Sequence, residues 1–397
     1  MINLYIGNHG KKDGIKDYID ILSQIFESRG IDVKVSEELC DSGVNMVIDE
    51  FSNTIKNSEI RTLKKSSDSV RFVYVLTEFI EKKFMVRSFN HFGSIIDSSF
   101  IAFINIYLRK RRKNFKKARF QDYLAFFLLS PFLPLYGIKF LVTNFINFFK
   151  NYRSQGRKNI FKINPQTHHL IYMHMRYLGF EEMIGYADAV ILSHGSIEKG
   201  YDGFRRELGE GCNSGGVLYP ELPHDTLTDF FMHHGQKKKL FIEMTGSITS
   251  YRYKFISKIN TDILLAGVNN LLGHTKNFPF KKILRIKQIN RGAFSLHPPQ
   301  SVRWPYSSPT RIYRSLCVDK SIPILTKNFN QHPIEDVCIV YKGEETILTM
   351  YGIYKNNLAL TELMEPRLAK YMKLAKEGNN IVCAEILEIV KNSGNAK

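Results

Sequence analysis

Short apolar runs alternate along this chain with stretches whose apolar positions recur at helical spacing. The opening NLYIGNHGKKDGIKDYIDILSQIFESRGIDVKV predicts a strand, a glycine-bearing loop, an amphipathic helix and a second strand. VNMVIDEF and VRFVYVLTEF follow as strand-like runs, each ending in a polar or acidic residue; a helix over His168 to Phe180 then leads to ADAVILS and VLYPEL. KKLFIEMTG begins a second set. It continues through the turn Thr245, Gly246, Ser247, a helix over Tyr251 to Ile259, the strand DILLAG, another around Ile283 to Ile289, AFSLHPP, IPIL and a terminal helix over Glu362 to Val390. Strands alternating with helices predict an α/β fold of parallel sheets covered on both faces. Two Rossmann-like domains are expected, 1–235 and 236–397, with the junction in the turn-rich Glu221 to Gln236. Ligands gather at the carboxyl ends of such strands, which selects Gly7, Asn8, His9, Gly10, Asp49, Glu50, Thr77 and Glu78.

The pattern breaks between Ser99 and Lys158. SFIAFINIYL runs into RKRRKNFKKAR, then into an apolar stretch of about 27 residues, YLAFFLLSPFLPLYGIKFLVTNFINFF, long enough to cross a bilayer. Pro131, Pro134, Gly137 and Lys139 in its middle oppose one straight spanning helix. The expectation is two shorter helices meeting at the Pro-Gly break, lying in the interface or dipping into it. Arg109, Lys110, Arg111, Arg112, Lys116 and Lys117 would then meet anionic headgroups, and Phe126, Phe127 and Phe132 the acyl boundary. A pair of core helices beside a solvated charge run is the competing description.

Charge sharpens this picture. Fifty-six Lys and Arg stand against 38 Asp and Glu, net +18, and Leu108 to Lys158 holds 13 of the bases and one acid, Asp122. An anionic partner is implied. Nucleic acid is the weaker choice, because the apolar flanks are too long and too aliphatic for a base-stacking surface. Five cysteines, Cys40, Cys212, Cys317, Cys338 and Cys383, show no CxxC or paired spacing, which points to reduced thiols and away from disulfides or a zinc knuckle. MINLYIGNHG begins directly as strand and turn without the regions of a signal peptide, so residence inside the cell is expected.

The richest chemistry lies in SSPTRIYRSLCVDKSIPILTKNF, Ser307 to Phe329. Ser307, Ser308 and Thr310 offer hydroxyls at a helix start, Pro309 suits the first turn, and Arg311 and Arg314 lie one turn apart. Free N–H groups and the partial positive charge of a helix N-terminus suit a diphosphate. The same residues also fit an ordinary capped helix with solvated arginines.

Arg314-Ser315-Leu316 followed by Ser321-Ile322-Pro323-Ile324 resembles the nucleotide-binding domain of GT-B type glycosyltransferases, including exostosin-like and fucosyltransferase-like variants whose strand also reads small residue, Ile, Pro, Ile or Val. The resemblance covers roughly residues 236 to 345. It implies a GT-B fold with the membrane-associating insertion at 99–158 in the N-terminal, acceptor domain, and a nucleotide-sugar domain at 236–397 whose terminal helix packs back on the first. The pair of glutamates that many retaining members carry is absent; the second would fall near Arg314. The resemblance further implies Thr245, Gly246, Ser247 and Arg252, with Ser307, Ser308, Thr310 and Arg311, as donor-phosphate contacts. At the end of the AFSLHPP strand and beyond, His297, Gln300 and Trp304 are candidates for the base and sugar pocket, Trp304 fitting a core position equally, and Glu335 is a candidate ribose contact.

Sugar transfer with inversion needs a base to deprotonate the acceptor hydroxyl. Glu78 is the first candidate, Asp49 and Glu50 the second, and His9 a residue that orients the acceptor. Each carboxylate also fits a helix cap. His168, His169 and His174 have no ligand pattern around them, and the Asp-X-Asp motif of metal-dependent GT-A enzymes is absent, so neither metal nor cofactor is expected. The expected function is transfer from a nucleotide sugar to a lipid-linked or growing glycan acceptor, on the cytosolic face of the plasma or inner membrane. A non-catalytic membrane- or nucleic-acid-binding protein with a nucleotide-binding-like fold is the alternative.

Overall fold

The computed structural model describes residues 1–397 except 8–12, 49–50, 52–53, 78–79, 81–91, 113–114, 156–164, 209–213, 224–238, 244–291, 299–306, 318–319, 329–331 and 395–397. The described strands form two sheets, each parallel throughout. The first contains β1 (Ile2–Tyr5), β2 (Val33–Ser36), β3 (Gly43–Ile48), β4 (Val70–Leu76), β5 (Ala189–Leu192) and β6 (Ser214–Val217), in the order β2-β1-β3-β4-β5-β6. The second contains β7 (Lys239–Glu243), β8 (Gly292–His297), β9 (Ile322–Leu325) and β10 (Ile339–Val340), in the order β10-β9-β8-β7. Around the first sheet run α1 (Asp13–Glu27), α2 (Thr54–Ser66), α3 (Phe92–Arg111), α4 (Phe120–Leu129), α5 (Leu133–Gln155), α6 (Pro165–Met183) and α7 (Gly195–Leu208). With the second go α8 (Pro309–Cys317), α9 (Glu344–Lys355) and α10 (Asn357–Gly394).

The strands are apolar because both faces are covered. β1, β5 and β9 are buried at every position. Asn3 and Asn45, opposite one another on β1 and β3, are buried polar positions in the first sheet: Asn3 Nδ2 donates to Asn45 Oδ1 at 2.8 Å, and Asn45 exchanges bonds with the Cys40 backbone. Buried amides so paired avoid the desolvation penalty that would otherwise exclude them. The strand order turns back on itself between β1 and β3, the topological position where open α/β sheets bind ligands.

One helix belongs to both cores. Leu360, Met364, Leu368 and Tyr371 of α10 pack with Phe294, Ile322 and Ile324 of the second sheet. Farther along α10, Val382, Cys383 and Ile386 pack with Ile2, Leu4, Val44 and Ile191 of the first. Between these halves Asn379 accepts a hydrogen bond from Tyr219 N and donates to Tyr219 O and Glu221 Oε1, holding the segment that follows β6.

Three sequence expectations change here. The strand expected at VLYPEL is SGGV instead: α10 passes so close that a Cβ on Gly215 would lie 2.9 Å from the Glu385 carboxylate, and Tyr219 turns its backbone to Asn379 rather than to a neighbouring strand. The apolar insertion breaks at a 3-10 turn, Ser130–Phe132, while Gly137 lies inside α5; Pro131 ends α4, and Pro134 falls in the first turn of α5, where its missing N–H is tolerated. The terminal helix begins at Asn357 and ends at Gly394, longer at both ends than its apolar periodicity marks. The helix expected at 251–259 and the strands DILLAG and Ile283 to Ile289 lie outside the described residues.

Candidate functional site

β8 ends at His297, and α8 starts twelve residues later, at Pro309, at the same, carboxyl edge of the second sheet. Ser308 occupies the N-cap position, with its carbonyl accepting from the N–H groups of Arg311 and Ile312 at 3.1 and 3.2 Å, and Pro309 opens the first turn. The Ser307 hydroxyl donates to His297 O at 2.7 Å, so it tethers the helix start to the strand end. His297 is 3% exposed; its Nε2 lies 2.9 Å from Ser315 Oγ, which in turn lies 3.0 Å from Ser295 Oγ. The His297 ring, expected in the base and sugar pocket, is buried and bridges α8 and β8. Glu335 is also buried, inside the 3-10 turn Pro333–Val337, away from the surface where a ribose contact was expected.

The two arginines of α8 have different surroundings. Arg314 Nη1 reaches Asp17 Oδ2 of α1 at 3.0 Å, and next to it the Tyr313 hydroxyl faces Gln24 of α1 at 3.4 Å. These contacts place α8 on the seam between the two sheets. Arg311, one turn nearer the helix start, has no side-chain hydrogen bond or ion pair among the described residues. Burial lowers its pKa from the usual arginine value. A desolvated guanidinium beside a helix N-terminus is a site of positive potential for which the described residues provide no anion.

A second group at the seam was missed in the sequence. His194 lies two residues past the end of β5, just before α7, and is buried there, where desolvation lowers its pKa to about 4. His332 follows β9, is buried, and accepts from Ile334 N through Nδ1; burial and the nearby His194 hold it well below the ordinary value. The Tyr219 ring meets the His332 ring edge-on at 5.1 Å, and burial together with Glu198 raises the Tyr219 phenol. The signal was present: the carboxyl-end rule applied to ADAVILS selects Ser193-His194-Gly195.

His9, Asp49, Glu50, Glu78, Thr245, Gly246, Ser247, Arg252, Gln300 and Trp304 lie outside the described residues. In the chain Asp49 directly follows the last residue of β3, and Glu78 comes two residues after the end of β4. Thr310 is half-buried in the first turn of α8. Among the described residues no group of three His, Cys, Asp or Glu side chains gathers as a metal site.

The basic segment divides as well. Lys110, Arg111 and Lys117 are exposed, and Arg112 and Lys116 half-buried. Arg109 is corrected: its side chain is 1% exposed, with Nη2 2.6 Å from Glu181 Oε2, Nε 3.6 Å from Asp122 Oδ2 and 3.0 Å from Asn105 Oδ1. It locks α3 to α4 and α6 and cannot reach a headgroup. Phe127 is 74% exposed, while Phe126 and Phe132 are half-buried.

Comparison of the chain with protein families, with curated proteins and with solved structures finds no match.

Proposed function

We propose that the protein is a metal-independent glycosyltransferase of GT-B type that takes a sugar from a nucleoside diphosphate sugar. The observation that carries this reading is Arg311, a desolvated guanidinium without an ion-pair partner among the described residues, in the first turn of α8, at the carboxyl edge of one parallel sheet and on the seam with another. A diphosphate seated there gains a planar charged fork and the helix N-terminus together. Both stabilise the charge that builds on the departing nucleoside diphosphate as the anomeric C–O bond to phosphate breaks. The acceptor hydroxyl oxygen forms the new bond, and its proton passes to a carboxylate. Glu78, then Asp49 or Glu50, is assigned that role, because each follows the carboxyl end of a strand adjacent to the β1/β3 reversal. His194 and His332 are buried and neutral at pH 7, so they add no charge to the seam beside this site.

The test is nucleotide release from a panel of nucleotide sugars with purified protein and membranes, beside thermal unfolding with the matching nucleoside diphosphates. Turnover with one donor, and stabilisation by its diphosphate that Arg311→Ala reduces, is the expected result. Stabilisation without turnover under any acceptor condition favours a binding protein; the absence of both removes the nucleotide site.

A further inference from the structure

The helices α4 and α5 face outward with their apolar sides. On α4 the exposed positions are Phe120, Tyr123, Leu124, Phe127 and Leu128; on α5 they are Leu135, Ile138, Leu141, Val142 and Phe145. Both sets recur at three- and four-residue spacing, the stripe that a helix ordinarily turns to a protein core. Here the core side carries the polar groups instead. Asp122 of α4 points in toward Arg109, and Lys139 of α5 donates to Asp97 of α3 at 2.7 Å, while Tyr136 stacks on Phe100 at 4.1 Å. All the acids of α3, α4 and α5, Asp97 and Asp122, are thus turned onto cations of the same helical group.

What remains outside is apolar and positive. Lys110, Arg111 and Lys117 are exposed at the end of α3 and the approach to α4, and Lys110 Nζ lies 5.9 Å from the centre of the Tyr123 ring. The cationic end and the apolar stripe are therefore continuous. A protein partner would be met by acids complementing these bases and a matching apolar patch, but an anionic lipid surface supplies both complements by its own layering, headgroup charge above acyl chains.

We propose that the outward face of α4 and α5 docks monotopically into an anionic lipid bilayer, with Lys110, Arg111 and Lys117 at the phosphate level. The combined segment Phe120–Thr143 is long and apolar enough to span by length and composition. The 3-10 turn at Ser130–Phe132 and the Lys139–Asp97 pair that fastens α5 along α3 oppose spanning and favour lying on the surface. Docking also fixes the height of the first sheet: Arg109 bonds α3 to Glu181 of α6, and Gly179 of α6 abuts the Phe51 carbonyl just past β3. The carboxyl edge of that sheet is thereby held in a set relation to the lipid. This inference stands on the helical surface and does not require the sugar-transfer reading.

The experiment is flotation of the full-length protein with vesicles of phosphatidylcholine alone or mixed with phosphatidylglycerol, in low and high salt. Wild type is expected to float with the anionic vesicles. Phe127→Ser/Leu141→Ser should lower the partition about tenfold or more at either salt, and Lys110→Gln/Arg111→Gln about tenfold in low salt only. All four substitutions are at exposed positions, and an unchanged unfolding temperature shows that the variants fold. Absence of wild type from both vesicle types overturns the proposal. So does a wild-type dimer that the Phe127/Leu141 variant turns into a monomer, and so does protease cleavage that reaches the two ends of 120–143 from opposite faces of sealed vesicles.

Discussion

Arg314 and Asp17, 297 residues apart in sequence, meet at 3.0 Å and join α8 of the second sheet to α1 of the first. Both side chains are 35% exposed, so water screens the pair and its contribution to stability is below about 1 kcal/mol. Arg311, one turn away, has no such partner among the described residues. Arg314→Ala should leave nucleoside diphosphate affinity within about threefold and change the unfolding temperature little. Arg311→Ala should weaken affinity by about tenfold to a hundredfold, the loss of a charge-assisted contact, while stability holds or rises because an unpaired desolvated cation is gone. Isothermal titration and thermal unfolding of the two variants decide it; the opposite ranking assigns the site to the wrong arginine.

Inside the helical insertion the energetics reverse. Arg109 and Glu181 are each 1% exposed at the side chain and 2.6 Å apart, with Asp122 beside them. Removing the cation takes the closest ion-pair partner from buried Glu181 and one partner from buried Asp122, which keeps the Arg119 N–H at 2.9 Å. Arg109→Met should destabilise by about 3 to 5 kcal/mol, far more than Lys110→Met on the surface beside it. Chemical denaturation at neutral pH measures both, and equal effects would remove the buried lock. Adding Glu181→Leu to Arg109→Met should recover part of the loss, since it replaces a buried charge that has lost its closest cation with apolar volume.

Gly179 provides a steric test of the same joint. In a helix Gly→Ala ordinarily stabilises by about 1 kcal/mol. At this position the new Cβ would fall 1.6 Å from the Phe51 carbonyl oxygen and 2.6 Å from its carbon, both backbone atoms that no rotamer change can move. Gly179→Ala should therefore destabilise by more than about 2 kcal/mol, through separation of α6 from the end of β3. Gly352→Ala on α9, where a Cβ meets nothing within 4 Å, is the control expected to be neutral or stabilising. Parallel denaturation curves for the two give the sign.

These particulars explain what could be read in advance. The strands were legible because a parallel sheet covered on both faces demands unbroken apolar runs, and VRFVYVL or IPIL fits no other environment easily. The start of α8 was legible from Ser308 and Pro309, which mark an N-terminus locally. Arg109 was not, because its inward direction depends on Glu181 of α6, and nothing in RKRR separates its first arginine from the others. The facing of α4 and α5 was hidden for a related reason. Helices apolar on every side have no marked face, and only the inward Asp122 and Lys139 reveal which side meets the protein. The choice between Arg311 and Arg314 likewise turned on Asp17, whose proximity is a property of the assembled fold.

The histidines at the seam make stability depend on pH. His194 falls from the ordinary 6.5 to about 4 because burial disfavours its charged form. The unfolded chain therefore binds a proton more readily than the folded one, and stability must rise with pH across the interval between the two values. Above about pH 6.5 the ring is neutral in both states and its effect on stability is absent. As pH falls toward 4 the unfolded state gains a proton that the folded state refuses, which by pH 5 amounts to about 2 kcal/mol of lost stability. His332, lowered in the same direction by burial and by His194, adds to the loss. Denaturant titrations at pH 7.5 and pH 5 should show wild type weaker at the lower pH, with His194→Gln, a neutral isostere in size, losing about 2 kcal/mol less across the same interval. A variant whose pH dependence matched wild type would show that His194 is already protonated, or already exposed, in the folded protein at neutral pH.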